Sequence, residues 1–261
     1  MSKKEARRAA KETKHREYEE TNPKHPARTK VNKEVVKRFQ PKTEGQIEYV
    51  KLIESHPITL AIGPAGTGKT FLSVVVALQN LVEGKYDKIV LTRPAIEAAG
   101  ERLGALPGDE SQKIFPYLRP LYDSLEKILG RQEVNRLIEM GVIEILPLAY
   151  MRGLSLENAF IIMDEGQNAS IEQFKMLLTR LGKYSKLVAT GDLNQSDMEG
   201  RSRRNGLEDA VLRFSEEDEI AVAQLSMVDI QRHPLVARII KGYELVVPIE
   251  LSFRNLYKND R

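Results

Sequence analysis

The sequence predicts an α/β domain in which a mostly parallel sheet is covered by helices on both faces. Three observations carry this. Six short apolar runs rich in β-branched residues recur from residue 58 onward, segments with helical spacing lie between several of them, and a glycine-rich loop joins the first run to the helix after it. The runs are ITLAIG (58–63), KIVLT (88–92), VIEIL (142–146), AFIIMD (159–164), KLVAT (186–190) and EIAVAQL (219–225). The helical segments are 69–82, 121–140, 170–181 and 233–245. There is no internal repeat and no low-complexity stretch in this region, so one domain over 31–261 is expected.

Ahead of it, residues 1–30 hold ten Lys/Arg against five Asp/Glu and end in NPKHPARTK, whose two prolines discourage helix. They read as a basic flexible arm. The net charge of the whole chain is +3, so the other residues, with 30 basic and 32 acidic groups, are slightly acidic. Such an arm suits either contact with phosphate backbones or simple solvation. With no cysteine, the chain has no disulfide frame, thiolate zinc site or cysteine nucleophile. No apolar run approaches the roughly 20 residues of a membrane-spanning helix, and the N-terminal residues lack the apolar core of a signal peptide. A cytoplasmic protein without membrane contact is the expectation.

The glycine-rich loop is GPAGTGKT, residues 63–70, a complete G-x-x-x-x-G-K-S/T pattern set between an apolar strand and a helix. Gly63, Gly66 and Gly68 let the backbone turn tightly, so that N–H groups of the loop, which also holds Pro64, Ala65 and Thr67, can point at phosphate oxygens. The helix that follows points its positive dipole end at the same anion. Lys69 is suited to the β- and γ-phosphates of ATP, and the Thr70 hydroxyl to Mg²⁺. AFIIMDEGQN then places Asp164 at the carboxyl end of a buried strand, where it can share that Mg²⁺ with Thr70. Glu165, the next residue, can orient a water and take its proton, which favours hydrolysis over phosphate transfer to a substrate such as a small-molecule kinase requires. Gln195, in KLVATGDLNQSD, follows a third strand end and can report on the γ-phosphate, with Asp192 ordering the loop. Alone, that stretch reads as an ordinary loop.

Together these residues resemble the PhoH family, bacterial and phage ATPases related to superfamily 1 helicases. The resemblance runs over roughly residues 40–245 and rests on PKTEGQIEYV, GPAGTGKT, LTRPAIEAAGERLGALPGDESQKIFPYLRPLYDSL, IIMDEGQN, TGDLNQSD and DIQRHPLVARIIKGYE. The family usually has alanine where this chain has Gly166. The resemblance implies a single RecA-like P-loop domain. It also makes Gln46 the adenine-recognising glutamine of a helicase Q motif. Arg232 becomes the late arginine that stabilises transition-state charge. Arg93, Glu101 and Arg102 fall in the block that resembles the helicase segment contacting nucleic acid or a neighbouring subunit; solvated surface charge is the other reading of all three.

After Asp197 only 64 residues follow, fewer than the roughly 100 of a second RecA-like domain. An arginine reaching the nucleotide from outside is then expected from an adjacent chain, with Arg232, Arg201, Arg203 and Arg204 as candidates. The resemblance points to a hexamer. It further implies RNA remodelling or unwinding, and a ribonuclease as a separate partner. With no tryptophan and few other aromatics, backbone contact is expected rather than base reading. The alternative function is a nucleotide-gated assembly or interaction protein that does not move along nucleic acid.

Overall fold

The computed structural model describes residues 31–94, 110–193, 195, 204–231, 235, 238, 239 and 242. The basic arm over 1–30 and most of the helix expected at 233–245 lie outside them. Six strands form one sheet: β1 (Ile58–Ile62), β2 (Lys88–Arg93), β3 (Ile143–Pro147), β4 (Ala159–Met163), β5 (Lys186–Gly191) and β6 (Ile220–Gln224). Their order is β3-β2-β4-β5-β1-β6, and every pairing is parallel. All six apolar runs of the sequence are these strands.

Parallel strands require crossovers, and the helices that make them cover both faces. The strands divide their side chains with period two. Ile89, Leu91, Phe160, Ile162 and Val188 enter one core with α1 (Lys33–Lys37), α2 (Glu44–Ser55), α3 (Lys69–Val82), α4 (Glu110–Leu129) and α5 (Arg131–Glu139). Val90, Ile161, Met163, Leu187 and Ala189 enter the other with α6 (Ile171–Leu178) and α7 (Gly206–Phe214). The central strands β4 and β5 are buried along their whole length, which is why they read as unbroken apolar runs.

Helix α3 spans 69–82 as its periodicity predicts, and buries Leu72 and Val74–Leu78 despite three consecutive valines. Packing against the sheet outweighs the weak preference of β-branched residues against helix. The single helix expected at 121–140 is instead two. Gly130, at φ 80°, stops α4 and starts α5, a conformation that other residues adopt at a cost. Helix α4 also begins earlier, at Glu110, and runs through Pro116 and Pro120. Both prolines are exposed, and each removes one N–H donor from the helical ladder. Helices α2 and α7 carry no long apolar stripe but have strong N-caps. The Thr43 hydroxyl accepts from Gln46 N (3.2 Å) and the Asn205 Oδ1 from Glu208 N (2.9 Å). At the other end of α2, the buried ammonium of Lys186 donates to the carbonyls of Ile53 and His56.

Leu78 is wholly buried in α3 against the sheet. Leu78→Ala should therefore cost about 2–5 kcal/mol of stability, measured as a lower urea midpoint with an unchanged slope.

Candidate functional site

The carboxyl ends of β1, β5 and β4 lie side by side, and the site is built on the segments that leave them. Residues 63–70 form the loop between β1 and α3 and are buried or half-buried throughout. Gly63 N donates to Gly191 O on β5 at 3.2 Å. A Cβ on Gly63 would stand 2.3 Å from Leu225 O, so the loop passes where only glycine fits. Gly66 and Gly68 take left-handed φ of 86° and 85°. The carbonyls of Gly66 and Thr67 accept from outside the loop, from Gln231 N (3.0 Å) and Gln46 Nε2 (3.0 Å). The Thr67 hydroxyl donates to Pro64 O at 2.9 Å. Lys69, 8% exposed, points its ammonium into the loop and donates to Gly63 O (2.6 Å) and Pro64 O (2.9 Å). No side chain caps the N-terminus of α3 at Gly68, so the dipole end of a 14-residue helix faces the same place.

Thr70, in the first turn of α3, donates its hydroxyl to Asp164 Oδ1 at 2.5 Å. Thr190, near the end of β5, donates to the same oxygen at 3.0 Å. Asp164 is buried, and its amide donates to Thr92 O on β2. Two hard oxygen donors, a hydroxyl and a carboxylate, thus converge beside a phosphate loop. That donor set fits Mg²⁺, which takes one or two protein oxygens and completes its shell with phosphate and water. Among the described residues, no cluster of three or more His, Cys, Asp or Glu makes a metal cage of its own.

Glu165 stands at φ 53°, ψ 43°, a left-handed conformation that non-glycine residues rarely adopt and that often marks functional positions. Both its oxygens have partners. Arg93 NH2 lies 3.2 Å from Oε1, and Gln167 Nε2 donates to Oε2 at 2.5 Å. The buried Gln167 accepts in turn from Asp192 N at 3.1 Å, joining Glu165 to the turn after β5. Asp192 O accepts from Gln195 N (3.1 Å), so Asp192 does order this turn through its backbone. Gln195 itself is exposed.

Gln46, which the sequence places ahead of the first long helix, lies within the first turn of α2. Its buried amide donates to Thr67 O and to Asp229 O (3.4 Å), and its Oε1 accepts from Lys42 N (2.8 Å). It therefore braces the phosphate loop against the turn that follows β6. Asp229 completes this brace and had no signal in the sequence beyond the Ser226-x-x-Asp229 spacing of a capping box. Its carboxylate accepts from Thr43 Oγ1 (2.5 Å) and from Ser226 N (2.8 Å) and Oγ (3.3 Å). Gly45 is where a Cβ would come within 2.6 Å of that carboxylate. Burial pushes the Asp229 carboxyl up, but the hydrogen bonds from Thr43, Ser226 and the Gly45 backbone together hold it below its ordinary 3.8. Thr43, Thr190 and Asp229 are the functional-site residues that sequence reading missed.

Of the arginines singled out by the sequence, Arg93 is turned inward to Glu165 and to Tyr117 O (3.3 Å). Arg204 is exposed, just ahead of the Asn205 cap of α7. Arg102, Arg201, Arg203 and Arg232, with Glu101, lie outside the described residues. No described helix is long and apolar enough to cross a membrane.

A single parallel sheet with a glycine-rich phosphate loop after β1 and paired acids after β4 defines a RecA-like P-loop α/β domain. The family model described as PhoH-like protein matches residues 38–244, and the chain belongs to the PhoH family. A PhoH-like protein of Synechocystis is 49% identical over 203 residues, which cover 78% of this chain and 61% of that protein. A PhoH-like protein of Bacillus subtilis is 50% identical over 208 residues, 80% of this chain and 65% of that one. Protein PhoH of Escherichia coli is 41% identical over 204 residues, 77% of this chain and 57% of that one. The matches thus span about three fifths of these relatives' length.

Two glycines should differ in how well they tolerate alanine. A Cβ on Gly191 would stand 2.5 Å from both Gln167 Oε1 and Leu207, whereas one on Gly166 meets nothing nearer than 3.3 Å. Gly166→Ala should shift stability by less than about 1 kcal/mol, and Gly191→Ala should cost about 1–3 kcal/mol, both by thermal unfolding. A second prediction concerns acid. Because the Asp229 carboxyl is held below its unfolded value, its stabilisation is present above that value and is lost as pH falls through the folded one. Urea titrations below about pH 4 should show this loss in the wild type and a shallower fall in Asp229→Asn.

Proposed function

We propose that this chain binds ATP with Mg²⁺ and hydrolyses it, and that hydrolysis drives RNA remodelling or unwinding by an oligomeric ring. The observation that carries the ATPase reading is the 2.5 Å contact of Thr70 with Asp164, with Glu165 next in the chain, beside the loop that holds Lys69. Residues 63–70 surround the β- and γ-phosphates, and Lys69 exchanges its loop carbonyls for phosphate oxygens. Thr70 and Asp164 hold Mg²⁺, which supplies charge neutralisation at the phosphates when bound. Glu165 orients a water whose oxygen attacks the γ-phosphorus as the bond to the β,γ-bridging oxygen breaks. ADP departs, and the water's proton passes to Glu165. Gln195, in the turn between the phosphate loop and the acids, senses the γ-phosphate, and Gln46 serves the adenine side of the site.

The RNA reading rests on the relation of the PhoH family to superfamily 1 helicases, on the basic composition of residues 1–30, and on Arg201, Arg203 and Arg204. The hexamer, an arginine in trans such as Arg232, and a separate ribonuclease partner rest on family resemblance.

Steady-state ATPase assays with and without single-stranded RNA, at two salt concentrations, test the proposal. Glu165→Gln should lower turnover by about 100-fold or more with nucleotide binding retained. RNA should raise the wild-type rate, and the increase should fade with salt as counterion release predicts. Loss of activity in Glu165→Gln with a wild-type rate indifferent to RNA would point instead to a nucleotide-gated assembly protein.

A further inference from the structure

We propose that Arg93 restrains Glu165 and that the restraint ends when Arg93 is drawn to a phosphodiester of bound RNA. This rests on the reading of Glu165 as the base of an RNA-coupled ATPase.

The geometry has three parts. Arg93 is the last residue of β2, one strand away from the end of β4 that carries Asp164 and Glu165. Its guanidinium spans two partners, the Tyr117 carbonyl on α4 at 3.3 Å and Glu165 Oε1 at 3.2 Å. Gln167 takes the other carboxylate oxygen at 2.5 Å. Glu165 is therefore held on both oxygens while its backbone sits in a left-handed conformation. A base must present an oxygen to water, and a carboxylate oriented by an arginine on one side and an amide on the other is committed to protein donors first.

The two donors differ in how readily they let go. Gln167 is 1% exposed and is fixed at its other end by Asp192 N. The Arg93 and Glu165 side chains are 19% and 36% exposed. The pair keeps an opening to solvent, through which a competing anion can reach the guanidinium. A guanidinium also pairs with phosphate through two parallel hydrogen bonds, which makes a nucleic-acid backbone an effective competitor for it. Arg93 is thus the releasable member of the pair, and its position at the carboxyl edge of the sheet puts it on the face where ligands of such sheets bind. Gln167 stays in place and keeps Glu165 tied to the turn that carries Gln195.

The test is the ATPase rate of the full chain carrying Arg93→Met, which keeps the apolar stem and removes the charge, with polyuridylate as the RNA. The basal rate should rise several-fold to approach the RNA-stimulated wild-type rate, and polyuridylate should add little further. Arg93→Lys, which keeps a cation but loses the two-pronged contact, should fall between. A basal rate in Arg93→Met that is unchanged or lower, in protein that unfolds at the wild-type temperature, would overturn the proposal and make Arg93 a residue that positions Glu165 for catalysis. If Arg93→Met does not fold, Arg93→Lys decides by the same sign. The double variant with Glu165→Gln separates the underlying reading. If it hydrolyses ATP as fast as Arg93→Met, Glu165 is not the base and the proposal falls with that assignment. If wild-type protein ignores polyuridylate while Arg93→Met is faster, the restraint stands and the RNA coupling is what fails.

Discussion

Everything in the site depends on β5 lying between β1 and β4. Parallel pairing brings the carboxyl ends of these three strands to one edge, and the middle one joins the other two. Gly191 at the end of β5 accepts from Gly63, fixing the start of the phosphate loop. Thr190, one residue earlier, donates to Asp164. Asp192, one residue later, donates to Gln167 and through it reaches Glu165. Three consecutive residues, the last two of β5 and the first of the turn after it, therefore set the spacing between phosphate loop and acids. That is the distance that must be right for a P-loop to serve as more than an anion site.

A second framework holds the loop from outside. Gln46 and Gln231 occupy the carbonyls of Thr67 and Gly66, and the Thr43–Asp229 contact locks the start of α2 to the turn after β6. Segments almost two hundred residues apart in sequence meet on four consecutive loop atoms' worth of backbone. With its carbonyls engaged there, the loop is held in a conformation built around glycines of left-handed φ. The order of the elements explains why α2 and the turn after β6 both bear on the shape of the glycine-rich loop, although neither contains its motif.

Much of this was legible in the residues. The six strands announced themselves because buried parallel strands are continuous apolar runs, and α3 because its apolar faces and the preceding glycine loop agree. GPAGTGKT and the Asp164–Glu165 pair were readable because their chemistry demands fixed residue types at fixed spacing. Helices α2 and α7 were not; α2 buries only Gln46, Tyr49 and Ile53, and both helices start at capping residues, Thr43 and Asn205, whose bonds form only in the folded backbone. The split at Gly130 depends on a single backbone conformation that periodicity does not encode. Asp229 and Thr190 were hidden for a different reason. Their partners, Thr43 and Asp164, lie 186 and 26 residues away, and only folding brings them together.

The bond from Gln231 N to Gly66 O has a mechanical meaning. Gln231 lies beyond β6 and the Met227–Asp229 turn, so the stretch that follows the last strand is tied by its main chain to the phosphate loop itself. A displacement of Gln231 therefore bears directly on the backbone of the glycine-rich loop. Conversely, a shift of Gly66 carries Gln231 with it. The domain thus has a lever whose short arm is one hydrogen bond long.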